Sequence, residues 1–188
     1  MHEPIRFDIG TTSLGPVLVA VSSHGVCAVS LADDEASLRA DLARSCPAAV
    51  SDAAALAPTL PAVIARIDSL HTPTPYLASS IHLDFRGTDF QRRVWSALLD
   101  IAWGHTTTYA ALTSRLQLAP TSIRAVGQAV ARNPIAVLVP CHRVVRTDGA
   151  LAGYRWGLGR KQALLERERA VESKGRGHGL QGSLFAPR

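Results

Sequence analysis

Cysteine is scarce in this chain of 188 residues: Cys27, Cys46 and Cys141 are the only three, and no two form a Cys-x-x-Cys pair. An odd, scattered set excludes a disulfide framework and a zinc ribbon. No apolar run is long enough to span a bilayer, and Met1-His-Glu-Pro-Ile-Arg6 lacks the apolar stretch of a secretory signal. The expected setting is therefore the reducing cytoplasm, with no membrane partner. Lysine is also rare, two against eighteen arginines. What remains is 47% hydrophobic and 19% charged, a globular composition sufficient for one ordinary domain or two small ones.

Charge divides the chain. Residues 1–84 carry four basic and nine acidic residues, a net −5, whereas residues 85–173 carry thirteen basic and six acidic, a net +7. Arginine suits bidentate phosphate contact and stacking. The basic half therefore points to a polyanionic partner, and the acidic half is expected to face away from it.

The pattern predicts two parts and a tail. Gly15–Val21 and Val26–Leu31 are apolar runs separated by Ser-Ser-His-Gly, which predicts a hairpin. A helix carrying Leu38 and Leu42 follows acidic Asp34 and Glu35, and another is expected near Leu60–Leu70. The two prolines of His71–Pro75 exclude helix interior there, and the alternating Ile81–Phe85 predicts a strand. We place the boundary near Phe85–Gly87, giving domains over 1–84 and 85–173 and a Gly-rich flexible tail over 174–188.

Beyond the boundary the reading is helical. Thr88 or Asp89 is placed to cap a helix bearing Phe90, Val94, Leu98 and Ile101. A second helix is expected over Thr108–Leu116, then a turn at Gln117–Pro120, then a third helix over Ile123–Arg132 capped by Thr121 or Ser122. This is the layout of a helix-turn-helix, and equally of any αα-hairpin. The small exposed residues of the third helix suit close approach to a nucleic-acid groove, with Arg124 free to reach phosphate or the base stack.

Cys141 ends the apolar run Ile135-Ala-Val-Leu-Val-Pro140, which predicts a buried strand stopped by proline. His142 and Arg143 follow at once. A cationic neighbour lowers a thiol pKa and apolar burial raises it, so a reactive thiolate and an inert buried thiol both remain open from the residues alone. His24 and Cys27 are three apart, but no second pair supports a metal site.

Three segments together carry a resemblance: Arg124–Pro134, Val139-Pro-Cys-His-Arg-Val-Val145, and Gly149-Ala-Leu-Ala-Gly-Tyr-Arg-Trp-Gly157. Over about residues 85–170 the chain resembles the O6-alkylguanine-DNA alkyltransferases, most of all the methyltransferase half of the bacterial adaptive-response protein. Residues 1–84 resemble the family only in length and strand-helix layout. The resemblance implies an α/β (α+β) chain, with a small, mixed, ribonuclease H-like sheet first and a mostly helical, winged-helix-like domain second.

It also implies an activity. The Cys matching Cys141 attacks the alkyl carbon on guanine O6 and keeps the alkyl group as a thioether, so each chain acts once and needs no cofactor or metal. His142 matches the residue that deprotonates the thiol through a water, Glu168 the acid that orients it, and Asn133 the hinge amide. The target base is rotated out through the minor groove of duplex DNA, with Arg124 filling the gap and Tyr109 contacting the flipped nucleotide. Ala125 and Gly127 lie on the same DNA-facing helix, and Tyr154 and Arg155 form the wall and rim of the guanine pocket. Arg143 is expected to close the turn by bonding backbone carbonyls, outside the catalytic set.

The departures are Ala102 for a common Pro, Thr108 for Ser, and Ile123 for a smaller residue in some relatives. They concern entry to the second helix and the fit of the third in the groove. The Cys-rich zinc domain of the adaptive-response protein has no counterpart here, so control of transcription through it is not expected. A monomer is expected, with O4-alkylthymine a possible second substrate. Gln181-Gly-Ser-Leu-Phe185 resembles the peptide with which bacterial DNA enzymes dock on the sliding clamp. A lesion-binding relative without alkyl transfer, and a cysteine hydrolase, are the alternatives: the nucleophilic Cys argues against the first, the adjacency of Cys and His against the second.

Overall fold

The computed structural model describes residues 4–69 and 81–176, the side chains of 170–176 excepted. His71–Pro75 and Gln181–Phe185 lie outside the described residues. Three strands, β1 (Arg6–Thr12), β2 (Gly15–Ser22) and β3 (Gly25–Leu31), form an antiparallel meander. Helix α1 (Glu35–Ser45) follows, then the short β4 (Val50–Ser51), which pairs parallel to β1, then α2 (Ala53–Leu56) and α3 (Thr59–Asp68). The sheet order is β3-β2-β1-β4.

The predicted hairpin is β2–β3, and Asp34 caps α1 by accepting from the Ser37 amide. Both faces of β2 are buried, which explains its continuous apolar run. Leu18 and Ala20 pack with Leu38 and Leu42 of α1. Val17 and Val19 join a larger cluster that takes in Val63 and Ile67 of α3 and also Trp95, Val126, Cys141 and Leu164 from the second half.

That second half begins with α4 (Asp89–Leu99), where Thr88 and Gln91 form a reciprocal capping box. Ile101 falls beyond the helix end, yet is buried. Thr107–Thr108 (β5) lead into α5 (Tyr109–Arg115), capped by the Thr108 hydroxyl. After Gln117, which takes a left-handed φ of 55°, the chain enters α6 (Ile123–Ala131). Here the expected side-chain cap is corrected: Ser122 makes no capping bond, and the 3-10 turn Pro120–Ser122 starts the helix instead. A two-stranded parallel pair joins β5 to β6 (Val144–Val145), and α7 spans Leu158–Arg176.

Two further expectations are corrected. Residues 81–85 do not form a strand but make a single parallel bridge, Leu83 to Val26 on β3. The apolar run before Cys141 is not a strand either. Ile135 makes one parallel bridge to Val29, after which the chain turns tightly twice. Leu138 N bonds Ala136 O across Val137, which has φ 64°, and Cys141 N bonds Val139 O across Pro140. A β-branched residue at positive φ is sterically costly, and such strain persists where the surroundings fix it. The run is apolar because it is buried from every side, which strand and turn share. Its position comes from the free edge of β3, since Val29 N bonds Pro134 O and Ala136 N bonds Val29 O.

Candidate active site

The tight turns deliver Cys141 into a 3-10 turn, Cys141–Arg143, whose three side chains are all buried. Asn133, just past the end of α6, is 1% exposed and its amide organises the turn. Nδ2 donates to Ile135 O at 3.1 Å, Val139 O at 3.0 Å and the sulfur of Cys141 at 3.2 Å, while Oδ1 accepts from Ile135 N at 3.0 Å. A buried amide with both ends satisfied is a rigid brace. Here it braces the turn and touches the thiol.

Burial decides the state of that thiol. Desolvation pushes Cys141 up to about 11, against smaller lowering effects from the Asn133 hydrogen bond and the Lys161 charge. The two neighbours that sequence suggested as activators point elsewhere. His142 Nε2 lies 2.9 Å from Glu168 Oε1 on α7, and Arg143 donates to the same carboxylate through Nε and Nη2 at 2.8 to 3.2 Å. Nη1 of Arg143 donates to Ile101 O at 2.6 Å. The backbone-closing role expected of Arg143 is one bond of four.

Glu168, 1% exposed, is held at about 2, because the bonds and charges of His142 and Arg143 outweigh the desolvation that opposes them. Burial lowers His142 below the usual imidazole value even with Glu168 beside it, so the ring is neutral. An ionised Glu168 fixes the tautomer: Nε2 carries the proton and donates, leaving Nδ1 as the lone-pair nitrogen. Among the described residues that buried Nδ1 has no hydrogen-bond partner. The arrangement is a protonated thiol, braced by an amide, next in sequence to an imidazole whose basic nitrogen is free.

Lys161 was not anticipated. It is fully buried, and its ammonium donates to Val144 O at 2.7 Å and Ala152 O at 3.2 Å, joining the turn after Cys141 to the loop before α7. A signal existed in the sequence: Lys161, Leu164 and Glu168 fall at helical spacing on one stripe of α7. Tyr154 stacks edge-on against Trp156 with centroids 5.1 Å apart, and its buried hydroxyl has no hydrogen-bond partner among the described residues. Burial first, then the charge of Cys141, raise the Tyr154 and Tyr109 hydroxyls.

The residues expected to meet DNA are on one surface. Arg124 and Ala125 are exposed on α6, and Gly127 lies half-buried against the Tyr109 ring. Tyr109 also lines an open cleft of about 480 Å³ with Ile123, Arg146, Thr147 and Asp148. Arg155, expected at the pocket rim, donates through its Nη2 to Asp41 of α1 at 2.7 Å.

The model of the family described as 6-O-methylguanine DNA methyltransferase, DNA binding domain, matches residues 89–170, which contain all of these residues except Asp41. The crystal structure of Mycobacterium tuberculosis OGT in complex with DNA superposes with a TM-score of 0.71 at 32% identity, covering 88% of this chain and 94% of that one. The chain belongs to the O6-methylguanine DNA methyltransferase family. Among its relatives, the bifunctional transcriptional activator/DNA repair enzyme Ada of Escherichia coli is 42% identical over 172 residues, 90% of this chain and 47% of Ada. The methylated-DNA–protein-cysteine methyltransferase of Mycobacterium bovis is 52% identical over 90 residues, 48% of this chain and 54% of that protein. The chain thus spans about half the length of the curated relatives it matches. The likeness to Ada reaches well into the N-terminal half, further than residues 85–170, to which sequence motifs had confined it.

Proposed function

We propose that this member of the methyltransferase family repairs DNA by moving the alkyl group of O6-alkylguanine to Cys141, irreversibly and once per chain. The observation that carries the reading is His142, whose Nε2 is committed to Glu168 while its buried Nδ1 is free to accept a proton. In the proposed step the proton of the Cys141 thiol passes to Nδ1 through a water. The sulfur then attacks the alkyl carbon as the bond to O6 breaks, and guanine leaves with the electron pair and takes up a proton. Because Cys141 rests protonated at about 11, deprotonation belongs to the reaction, which spares the thiol from indiscriminate electrophiles.

A base stacked in a duplex cannot reach a buried sulfur, so the target is rotated out. Exposed Arg124 on α6 fills its place in the stack, Tyr109 contacts the flipped nucleotide, and Ala125 and Gly127 lie on the helix face that meets the DNA. Tyr154 is the wall of the base pocket. Residues 1–84 form a ribonuclease H-like scaffold and residues 85–173 a winged-helix-like domain around the α5–α6 helix-turn-helix. The protein acts as a monomer, and Gln181–Phe185 docks it on a sliding clamp, which titration of that peptide against purified clamp tests.

Intact mass after incubation with a duplex carrying O6-methylguanine decides the main reading. One methyl per chain, mapped to Cys141 and lost in Cys141→Ala, is the expected result. Unmodified protein with the lesion still in place would overturn it, and a lesion bound but unaltered would favour a recognition protein instead.

A further inference from the structure

Asp41 sits on α1 in the N-terminal half, 114 residues from the Arg155 it bonds at 2.7 Å. Its second oxygen accepts from Arg44 at 2.9 Å, so the carboxylate is oriented from its own helix before Arg155 arrives. Arg155 stands in sequence between Tyr154, the proposed pocket wall, and Trp156, against which Tyr154 stacks. Nearby, Arg160 binds Trp156 O at 3.0 Å and reaches across to Leu14 O at 2.8 Å, Ala32 O at 2.6 Å and Asp33 at 2.7 Å. On the inner side Lys161 holds Ala152 O.

The loop is therefore fastened at Ala152 from within and at Arg155 and Trp156 from the N-terminal half. Between these points the backbone is open on its outer side at Gly153, where a Cβ would meet nothing among the described residues within 4 Å. Tyr154 itself packs on the core and edge-on against Trp156, so displacing it works against that packing and against the fastenings together. Of these fastenings, Arg160 is 17% exposed and is held by three backbone carbonyls besides the 93% exposed Asp33, whereas Arg155, 36% exposed, bonds Asp41, 30% exposed. The Arg155 contact is the one that opens at least cost.

We propose that the N-terminal half sets the width of the alkyl pocket through Asp41, a positioning residue that holds Arg155 and thereby Tyr154. The proposal rests on the alkyl-transfer reading of Cys141. A methyl group needs no displacement of the wall, but a benzyl group does. Releasing the latch lowers the cost of that displacement and leaves methyl transfer alone. A partly solvated ion pair of this kind is worth a few tenths to about 1 kcal/mol, so the effect is about two- to fivefold.

Single-turnover rates on duplexes carrying O6-methylguanine or O6-benzylguanine test it in the full chain. Asp41→Asn is expected to raise the benzyl-to-methyl ratio about two- to fivefold, with methyl transfer unchanged. Arg155→Gln should raise the ratio equally, and the double variant no further. Exchanging the charges, Asp41→Arg with Arg155→Asp, should return it toward wild type, which a merely structural loss would not do. A ratio unchanged in Asp41→Asn, or additive effects in the double variant, overturns the proposal. Should the wild type transfer neither group, the function reading fails by itself, and amide hydrogen exchange then decides the latch: faster exchange over residues 150–156 in Asp41→Asn supports it, and unchanged exchange refutes it.

Discussion

Arg143 donates three hydrogen bonds to Glu168, the carboxylate that also fixes His142. One buried anion thus serves two cationic-type side chains that are adjacent in sequence. Removing one partner of a buried pair leaves the other charge uncompensated, which typically costs about 3–5 kcal/mol. Arg143→Ala is therefore expected to destabilise the fold by about that much in urea unfolding. Arg143→Lys should recover little of it, because an ammonium cannot reproduce the forked contact. Near wild-type stability in Arg143→Ala would mean the pair contributes nothing.

Acid should act through the same carboxylate. The folded-state pKa of Glu168 is about 2 against 4.5 for a free glutamate, so ionisation favours folding by on the order of 3 kcal/mol. The sign follows from the depression: the contribution is whole above about pH 4.5 and is lost as pH falls toward 2. Lowered His142 adds a loss of the same sign as pH drops through the ordinary imidazole value of 6.5, where the unfolded chain takes up the proton first. Urea midpoints measured from pH 7 to pH 3 should fall on acidification, and in Glu168→Gln the part below pH 4.5 should flatten. Equal slopes in the two proteins would refute this.

Asn133 gives a prediction with two readouts. Asn133→Ala leaves Ile135 N and the carbonyls of Ile135 and Val139 without that partner, each a buried group worth about 1–3 kcal/mol when unsatisfied. It also removes the hydrogen bond that opposes the upward push of burial on Cys141. Stability should drop by a few kcal/mol, and alkylation of Cys141 by iodoacetamide at pH 8 should slow as the thiolate fraction shrinks. Faster alkylation in a variant that remains folded would show that the amide shields the sulfur rather than stabilising its anion.

Much of this was legible in the residues because local chemistry dictated it. Asp34 and Thr88 cap helices wherever such sequences fold, and the Ser-Ser-His-Gly interruption between two apolar runs dictates a hairpin. The approach to Cys141 was misread because apolarity reports burial, and the difference between a strand and two tight turns at Val137 and Pro140 lies in backbone angles set by β3 and Asn133. The carboxylate partner of Arg143 was missed for a related reason, since Glu168 lies 25 residues away. The stripe that carries Lys161 with Leu164 and Glu168 was there to be read, but it does not say which backbone carbonyls the ammonium meets. Glu168 was reached only through family resemblance; by composition it is one acid on a charged helix. Arg155 shows the limit of that route, since its partner Asp41 lies in the half where the motifs were silent.

Arg124 tests the proposed DNA-facing surface. It is exposed on α6 beside Ala125, with Gly127 against Tyr109 behind it, and the half that bears it is strongly basic. If its guanidinium contacts phosphate alone, Arg124→Ala should weaken binding of damaged and undamaged duplexes equally and reduce the salt dependence by roughly one counterion. Occupation of the base stack predicts something different. Undamaged duplex should then bind nearly as before, because the cost of removing a base is not incurred, while single-turnover methyl transfer should fall about tenfold or more, a shift of about 1.4 kcal/mol in the barrier. Replacement by Lys, which keeps the charge and loses the planar face, should restore binding without restoring transfer. A substrate with the lesion opposite an abasic site supplies the control: with no partner base to separate from, the transfer defect of Arg124→Ala should shrink. A defect of the same size on both substrates would leave Arg124 a phosphate contact and remove it from the flipping step.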